Sequence, residues 1–234
     1  MAKEIRVAIL DDHQSIIDGY VYRLKERPNI VVVATIGFGE QLEPTLKKYP
    51  TDVLLLDVNV PTSPENSNPY PILHLIPNLL ESYPALCILV ISMYTERGLI
   101  RAVMDAGASG YILKDDQETI QKLGAIIDSI AKGEMEIYLS ENARRHLLPR
   151  EQEENDHLLT QRQREVLSLC LAYPDSSTGE LAHKMSVANS TVRNLLSSAY
   201  LKLEVRNRAA AIARARQLGL ITPDTPTTPI LSRR

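Results

Sequence analysis

The runs IRVAIL (5–10) and VLLL (53–56) are unbroken apolar stretches of strand length that stop at acid, the first at Asp11 and Asp12 and the second at Asp57. A strand without polar alternation has to be covered on both faces, as in the middle of a parallel sheet flanked by helices. In such sheets the carboxyl ends of the strands form the ligand crevice. If the two strands are neighbours, three carboxylates meet there with little to neutralise them. A cluster of this kind either raises its own pKa values or holds a hard cation, and Mg2+ prefers oxygen donors. One strand-ending Asp can equally well cap the next helix. Three at two such ends point beyond capping.

The rest of the front half repeats the pattern. Ile16, Tyr20 and Leu24, with Ile17 and Val21 beside them, predict a helix that breaks at Pro28-Asn29 before a second strand, IVVVATI. A short helix at Gln41–Tyr49 precedes the strand at 53–56. The segment VNVPTSPENSNPYP (58–71) carries four prolines and is expected to hold no regular structure. A helix at Ile72–Ser82, a strand at Leu86–Ile91 stopping at Ser92, and a helix at Glu96–Ala106 follow. A strand GYIL then stops at Lys114, and a helix at Gln117–Ala131 closes at Gly133. Five strand–helix alternations in some 130 residues argue a doubly wound parallel sheet.

Beyond residue 133 the periodicity fades. Residues 134–157 read as a linker, with one short helix at Glu141–Leu148 and a charged run, REQEEND, at 150–156. From 158 to 221 every segment is helical: a helix after Thr160, a short one after Ser177-Thr178, a longer one at 189–203, and a last one at Ala209–Leu218. The Pro/Thr-rich tail, 222–234, reads as frayed.

Charge divides the chain in the same place. Residues 158–234 carry 11 Lys/Arg against five Asp/Glu, so of the formal net charge of −3 the first 157 residues hold about −9. An acidic front joined to a basic back suggests two domains with different partners, the second a polyanion. Cys87 and Cys170 lie far apart inside apolar patterns and read as buried thiols of a reducing compartment. No apolar run approaches the roughly 18–20 residues of a membrane span, and no signal-peptide pattern opens the sequence. A cytoplasmic protein without membrane contact is expected.

The order Asp11-Asp12, Asp57, Ser92, Lys114, each at the end of a successive strand, resembles the receiver domain of two-component response regulators. The segments LTQRQREVL (159–167), ELAHKM (180–185), STVRN (190–194) and KLEVRNRAAA (202–211) resemble the DNA-binding domain of the LuxR/NarL-type subfamily. The resemblance implies a flavodoxin-like five-stranded sheet of order 2-1-3-4-5 (residues 1–133) and a four-helix helix-turn-helix domain. It implies that Asp57 accepts a phosphoryl group from a sensor histidine kinase with Mg2+ as cofactor. Asp12, Asp57 and the backbone carbonyl of Asn59 would be ligands, with Asp11 acting mainly through water. Lys114 and Ser92 would contact phosphoryl oxygens. Tyr111 would turn inward on phosphorylation and expose a surface around the fourth and fifth receiver helices. The second domain would bind double-stranded DNA, as a homodimer when active. The helix at 189–203 would lie in the major groove, presenting Asn189, Ser190, Arg193, Asn194, Ser197 and Ser198, with backbone contacts from Lys202, Arg206 and Arg208.

The match has departures. The 61–71 loop is longer and richer in proline than the usual turn. Leu195 stands where His is common, Ser197 where Lys is common, and Gln163 where an acid is usual, so the reading face is less basic than in relatives. Two other readings remain open at this level: a regulator controlled by protein contacts without phosphorylation, and a Mg2+-dependent phosphohydrolase. The hydrolase would need an acid two residues after its nucleophile, where this chain has Asn59.

Overall fold

The computed structural model describes residues 4–147 and 158–222. The charged run 150–156 and the tail from 223 onward lie outside the described residues. Strand β1 (Ile5–Leu10) is followed by α1 (Gln14–Leu24), β2 (Ile30–Ile36), a 3-10 turn at Gly39–Gln41, α2 (Leu42–Lys48) and β3 (Val53–Leu56). Next come β4 (Pro61–Ser63), β5 (Asn66–Pro69), α3 (Ile72–Ser82), β6 (Cys87–Ser92), α4 (Arg97–Asp105) and β7 (Gly110–Leu113). The first domain closes with α5 (Gln117–Gln121), α6 (Leu123–Ala131), β8 (Tyr138–Leu139) and α7 (Glu141–Leu147).

The main sheet has the order β2-β1-β3-β6-β7-β8, and every pairing is parallel. Alternation along β1 divides the core between the faces. Ala8 and Leu10 pack with α2, α3 and α4, while Ile5, Val7 and Ile9 pack with α1, α5 and α6. The expected five-strand order is the β2-β1-β3-β6-β7 part, and β8 adds a sixth strand at the edge. With two residues, β8 is too short to give a hydrophobic period. It is held by backbone bonds from Tyr138 N–H to Ser109 O (2.9 Å) and from Ser140 N–H to Tyr111 O (3.0 Å). The region expected as linker therefore returns along the sheet, with Ala143 of α7 buried in the core.

Two other expectations change. The proline-rich segment forms a two-stranded antiparallel ribbon, β4–β5, with Pro61 opposite Pro69. A ribbon with both strands at an edge tolerates residues that lack an N–H. Thr62, fully buried, donates its hydroxyl to Asn68 O at 2.8 Å across the ribbon. The helix expected at 117–131 is broken at Lys122 (φ −91°, ψ 5°), two residues before Gly124, a poor helix former.

The second domain packs α8 (Gln161–Ala172), α9 (Thr178–Lys184), α10 (Asn189–Lys202) and α11 (Arg208–Gln217) around Leu167, Cys170, Leu181, Val192, Ala199 and Ile221. Three of its four helix starts carry a side-chain cap, and α10, which follows Ala188, carries none. Thr160 with Gln163, and Ser177 with Glu180, form reciprocal capping boxes, and Asn207 accepts from Ala210 N–H. Thr222, expected as the first residue of a frayed tail, is buried.

The two domains touch. His74 Nδ1 on α3 is 3.1 Å from Glu165 Oε1 on α8, with both side chains largely buried. Asn66 of β5 donates to Ala172 O at 3.0 Å, and the Tyr173 hydroxyl donates to Glu40 at 3.3 Å. At Gly98, where α4 begins, a Cβ would come within 3.2 Å of the carbonyls of Leu218 and Gly219.

Candidate functional sites: an acid pocket and a helix face

Register brings the strand ends together. Leu10 pairs with Leu56, and Asp57 N–H donates to Leu10 O at 2.9 Å, so Asp11, Asp12 and Asp57 leave the sheet side by side. Two strands further on, Ser92 pairs with Leu113, and Lys114 N–H donates to Ser92 O at 2.9 Å. Lys114 then reaches back across the crevice. Its Nζ donates to Asp11 Oδ2 at 2.6 Å and to Asp57 Oδ2 at 2.7 Å, with all three side chains nearly inaccessible.

The electrostatics follow from this crowding. Burial raises the Asp57 carboxyl above the usual carboxylate range; Lys114 and the Asn59 N–H oppose the rise, and Asp11 adds to it. Burial also works against the Lys114 ammonium, but Asp57 and Asp11 outweigh it and lift the lysine above its ordinary value. The lysine is therefore a fixed positive charge. One ammonium does not neutralise three carboxylates. Asp12 is partly exposed and turned towards His13, whose Nδ1 is 2.7 Å from Asp12 Oδ1. Ligand atoms of Asp11, Asp12, His13 and Asp57 all lie within 4.8 Å of one another. This oxygen-rich, under-neutralised donor set fits a hard divalent cation. His13 escaped sequence reading because a polar residue at a helix start is common; here it is the N-cap residue of α1.

Asn59 meets the pocket through its N–H, 3.4 Å from Asp57 Oδ1. Ser92 is fully buried and its Oγ accepts from Tyr94 N–H at 3.3 Å. Tyr111 is fully buried and donates its hydroxyl to Tyr94 O at 2.8 Å, and burial pushes its phenol up. The inward position expected only after phosphorylation is thus already taken. The outer edge of Tyr111's strand is covered by β8, and α4 packs on α7.

In the second domain, Asn189, Ser190, Arg193, Asn194 and Ser197 of α10 are exposed along one face, opposite Val192, Leu196 and Ala199 in the core. Lys202 and Arg206 are exposed at its far end. Ser198 departs from the expected set: its Oγ accepts from Gln163 Nε2 at 2.8 Å, which turns it towards α8. Gln163 Oε1 caps Thr160 N–H and also accepts from Lys202 Nζ at 3.1 Å. The amide thus ties the first helix to α10, a role read in the sequence only as a missing acid. Arg208 donates from Nη1 to Pro174 O (3.3 Å) and Ser176 O (2.8 Å), so its guanidinium holds the turn before α9.

Comparison with known proteins identifies the two domains. Residues 7–124 match the family described as response regulator receiver domain, and residues 157–215 match the bacterial regulatory proteins of the luxR family. The chain is 28% identical to the transcriptional regulatory protein DegU of Brevibacillus brevis, over 93% of this chain and 95% of that one. It is likewise 28% identical to DesR of Bacillus subtilis, over 92% and 98%. Among solved structures, RcsB of Salmonella enterica serovar Typhimurium, bound to promoter P1flhDC in the presence of a phosphomimetic, aligns with a TM-score of 0.57. That match has 25% identity and covers 91% of this chain and 98% of that one. Another Salmonella typhimurium RcsB structure supports the fold at a TM-score of 0.61, with 24% identity and coverage of 92% and 98%.

The chain belongs to the response regulators that join a receiver domain to a LuxR-type helix-turn-helix domain. These are DNA-binding transcription regulators and not enzymes, which sets the phosphohydrolase reading aside. Among the described residues no helix is long and apolar enough to cross a membrane.

Proposed function

We propose that Asp57 is the phosphoryl acceptor of this regulator and that a sensor histidine kinase is the donor. In the transfer the P–N bond of a phosphohistidine breaks, an Asp57 carboxylate oxygen forms the new P–O bond, and the imidazole leaves with a proton from solvent. The observation that carries the reading is the Lys114 ammonium held between Asp11 and Asp57. A fixed cation at that point can follow the charge onto a phosphoryl oxygen without reorganising. Asp12 and Asp57, with the backbone carbonyl of Asn59, would hold Mg2+ directly, and Asp11 would hold it through water. The ion supplies neutralisation that lets a carboxylate approach an anionic donor. Ser92 Oγ accepts from Tyr94 N–H and the Tyr111 hydroxyl donates to Tyr94 O, so both meet at Tyr94, which supports a shared response of the two to a new phosphoryl group.

The exposed face of α10 supports major-groove reading by Arg193 and Asn194, with Asn189, Ser190 and Ser197 beside them and Lys202 and Arg206 on phosphates. Arg208 serves this face by fixing the α8–α9 turn. A homodimer on two half-sites about one helical turn apart fits this geometry, and RcsB dimers are described on DNA. Soluble work in the cytoplasm suits both sites. Incubation with acetyl phosphate and Mg2+, followed by intact-protein mass spectrometry, tests the acceptor. The wild type should gain one phosphoryl mass and Asp57→Asn none; equal uptake by the variant would refute the assignment.

A further inference from the structure

His13 stands at the rim of the acid pocket, in the N-cap position of α1. A residue there ordinarily uses its side chain to cap a backbone N–H, but the His13 ring makes no cap bond. The residue is turned to the pocket instead. Its N–H donates to Asp11 Oδ1 at 2.9 Å, which fixes its backbone against the buried acid. The ring faces the same acids: Nδ1 lies 2.7 Å from Asp12 Oδ1 and 3.4 Å from Asp11 Oδ1. Neighbouring ligands of an octahedral ion with bonds of roughly 2.1 Å stand about 3 Å apart, and these two separations bracket that value. Asp57 completes the group, since one ligand atom from each of the four residues lies within 4.8 Å of the others. The His13 side chain is 61% exposed and that of Asp12 31%. Both are free to make the small shift that closing on an ion requires, and water can complete its shell.

We infer that His13 is a direct ligand, through Nδ1, of the ion bound at this pocket, and that it raises the preference of the site for a first-row transition ion, Mn2+, over Mg2+. The inference rests on the reading of Asp12 and Asp57 as ion ligands given above. Mg2+ is held by oxygen and gains little from an imidazole nitrogen. Transition ions bind nitrogen more strongly, in an order that rises from Mn2+ through Fe2+ to Co2+. One imidazole among carboxylates therefore discriminates between ions of equal charge. A histidine that only neutralised Asp12 would behave differently. It would compete with every divalent cation alike, and removing it would tighten the binding of them all.

The test titrates the full chain with Mn2+, follows the electron paramagnetic resonance of the free ion, and measures Mg2+ by displacement of bound Mn2+. Electron spin-echo modulation reports whether a nitrogen is bonded to the Mn2+. His13→Ala removes the proposed ligand and no cap bond, and Asp12→Ala checks that the bound ion lies in the pocket. The wild type should bind Mn2+ and show nitrogen modulation. In His13→Ala the modulation should vanish and Mn2+ affinity should fall at least about tenfold, the lower end of what losing even a partner outside the ligand shell costs. Mg2+ affinity should change by less than about twofold. Bound Mn2+ without nitrogen modulation, equal losses for both ions, or a gain for both would overturn His13 as the selecting ligand and leave the acids standing as an ion site. Binding that survives in Asp12→Ala, or no binding to the wild type, would overturn the ion site and the role of His13 with it.

Discussion

The acid pocket and the α10 face use polar residues in opposite ways. In the pocket, Asp11, Asp57 and Lys114 are buried and bonded to one another, so their charges interact strongly and hold one geometry. On α10, Arg193 and Asn194 stand in water, and the order lies in the apolar side beneath them and in ties such as Gln163 to Ser198. The pocket holds its charges at a fixed point. The helix face is held as a rigid platform whose partners come from outside.

If that contrast is right, Lys114→Met should do the most damage to the fold. Two buried carboxylates would lose their shared cation, costing about 3 kcal/mol in urea unfolding without metal. Added Mg2+ should restore part of the loss, and an undiminished midpoint would break the picture. Asp57→Asn should move the other way, by about 1 kcal/mol, since burial already disfavours the ionised acid. Gln163→Ala gives the second-largest loss of stability. Losing half of a capping box and the bond to Ser198 should cost about 2 kcal/mol of second-domain stability, read from its thermal transition. Arg193→Ala should leave stability alone but lower affinity for a specific site about tenfold, with little change on unrelated DNA. Equal losses on both DNAs would remove Arg193 from base reading.

The smallest effect lies between the regions. Burial lowers the His74 imidazole below its ordinary 6.5; Glu165 opposes this and Arg162 adds to it. A folded-state value below the unfolded one means the contribution of the neutral ring is complete above pH 6.5 and is lost as pH falls through the folded value. Thermal midpoints taken between pH 7.5 and 5.5 should therefore fall more steeply for the wild type than for His74→Gln. Parallel slopes would show that this contact does not sense pH.

The pocket was legible because each of its acids closes a strand whose apolar run can belong only to a covered sheet, and because Ser92 and Lys114 repeat that position. The α10 face was legible only through likeness to a family, since exposed Asn and Ser have many bland explanations. What sequence reading missed has a common physical cause. The β4–β5 ribbon depends on proline at edge positions, β8 is shorter than any periodic signal, and the partners of Gln163, His74 and Asn66 are set by packing between distant segments. Tyr111 was recognised, but its orientation depends on Tyr94 O lying within reach.

Strand β8 has a consequence for how the molecule behaves in a crowded solution. Paired with β7, it occupies the margin at which the five-strand sheet would otherwise end, beside the buried Tyr111. An unpaired margin is a template on which a foreign strand can add and seed aggregation. With that side taken, the sheet can be extended at β2, where Val31 is an exposed apolar residue. Any sticking between copies by strand addition should begin there, and a lysine in place of Val31 is the simplest guard against it.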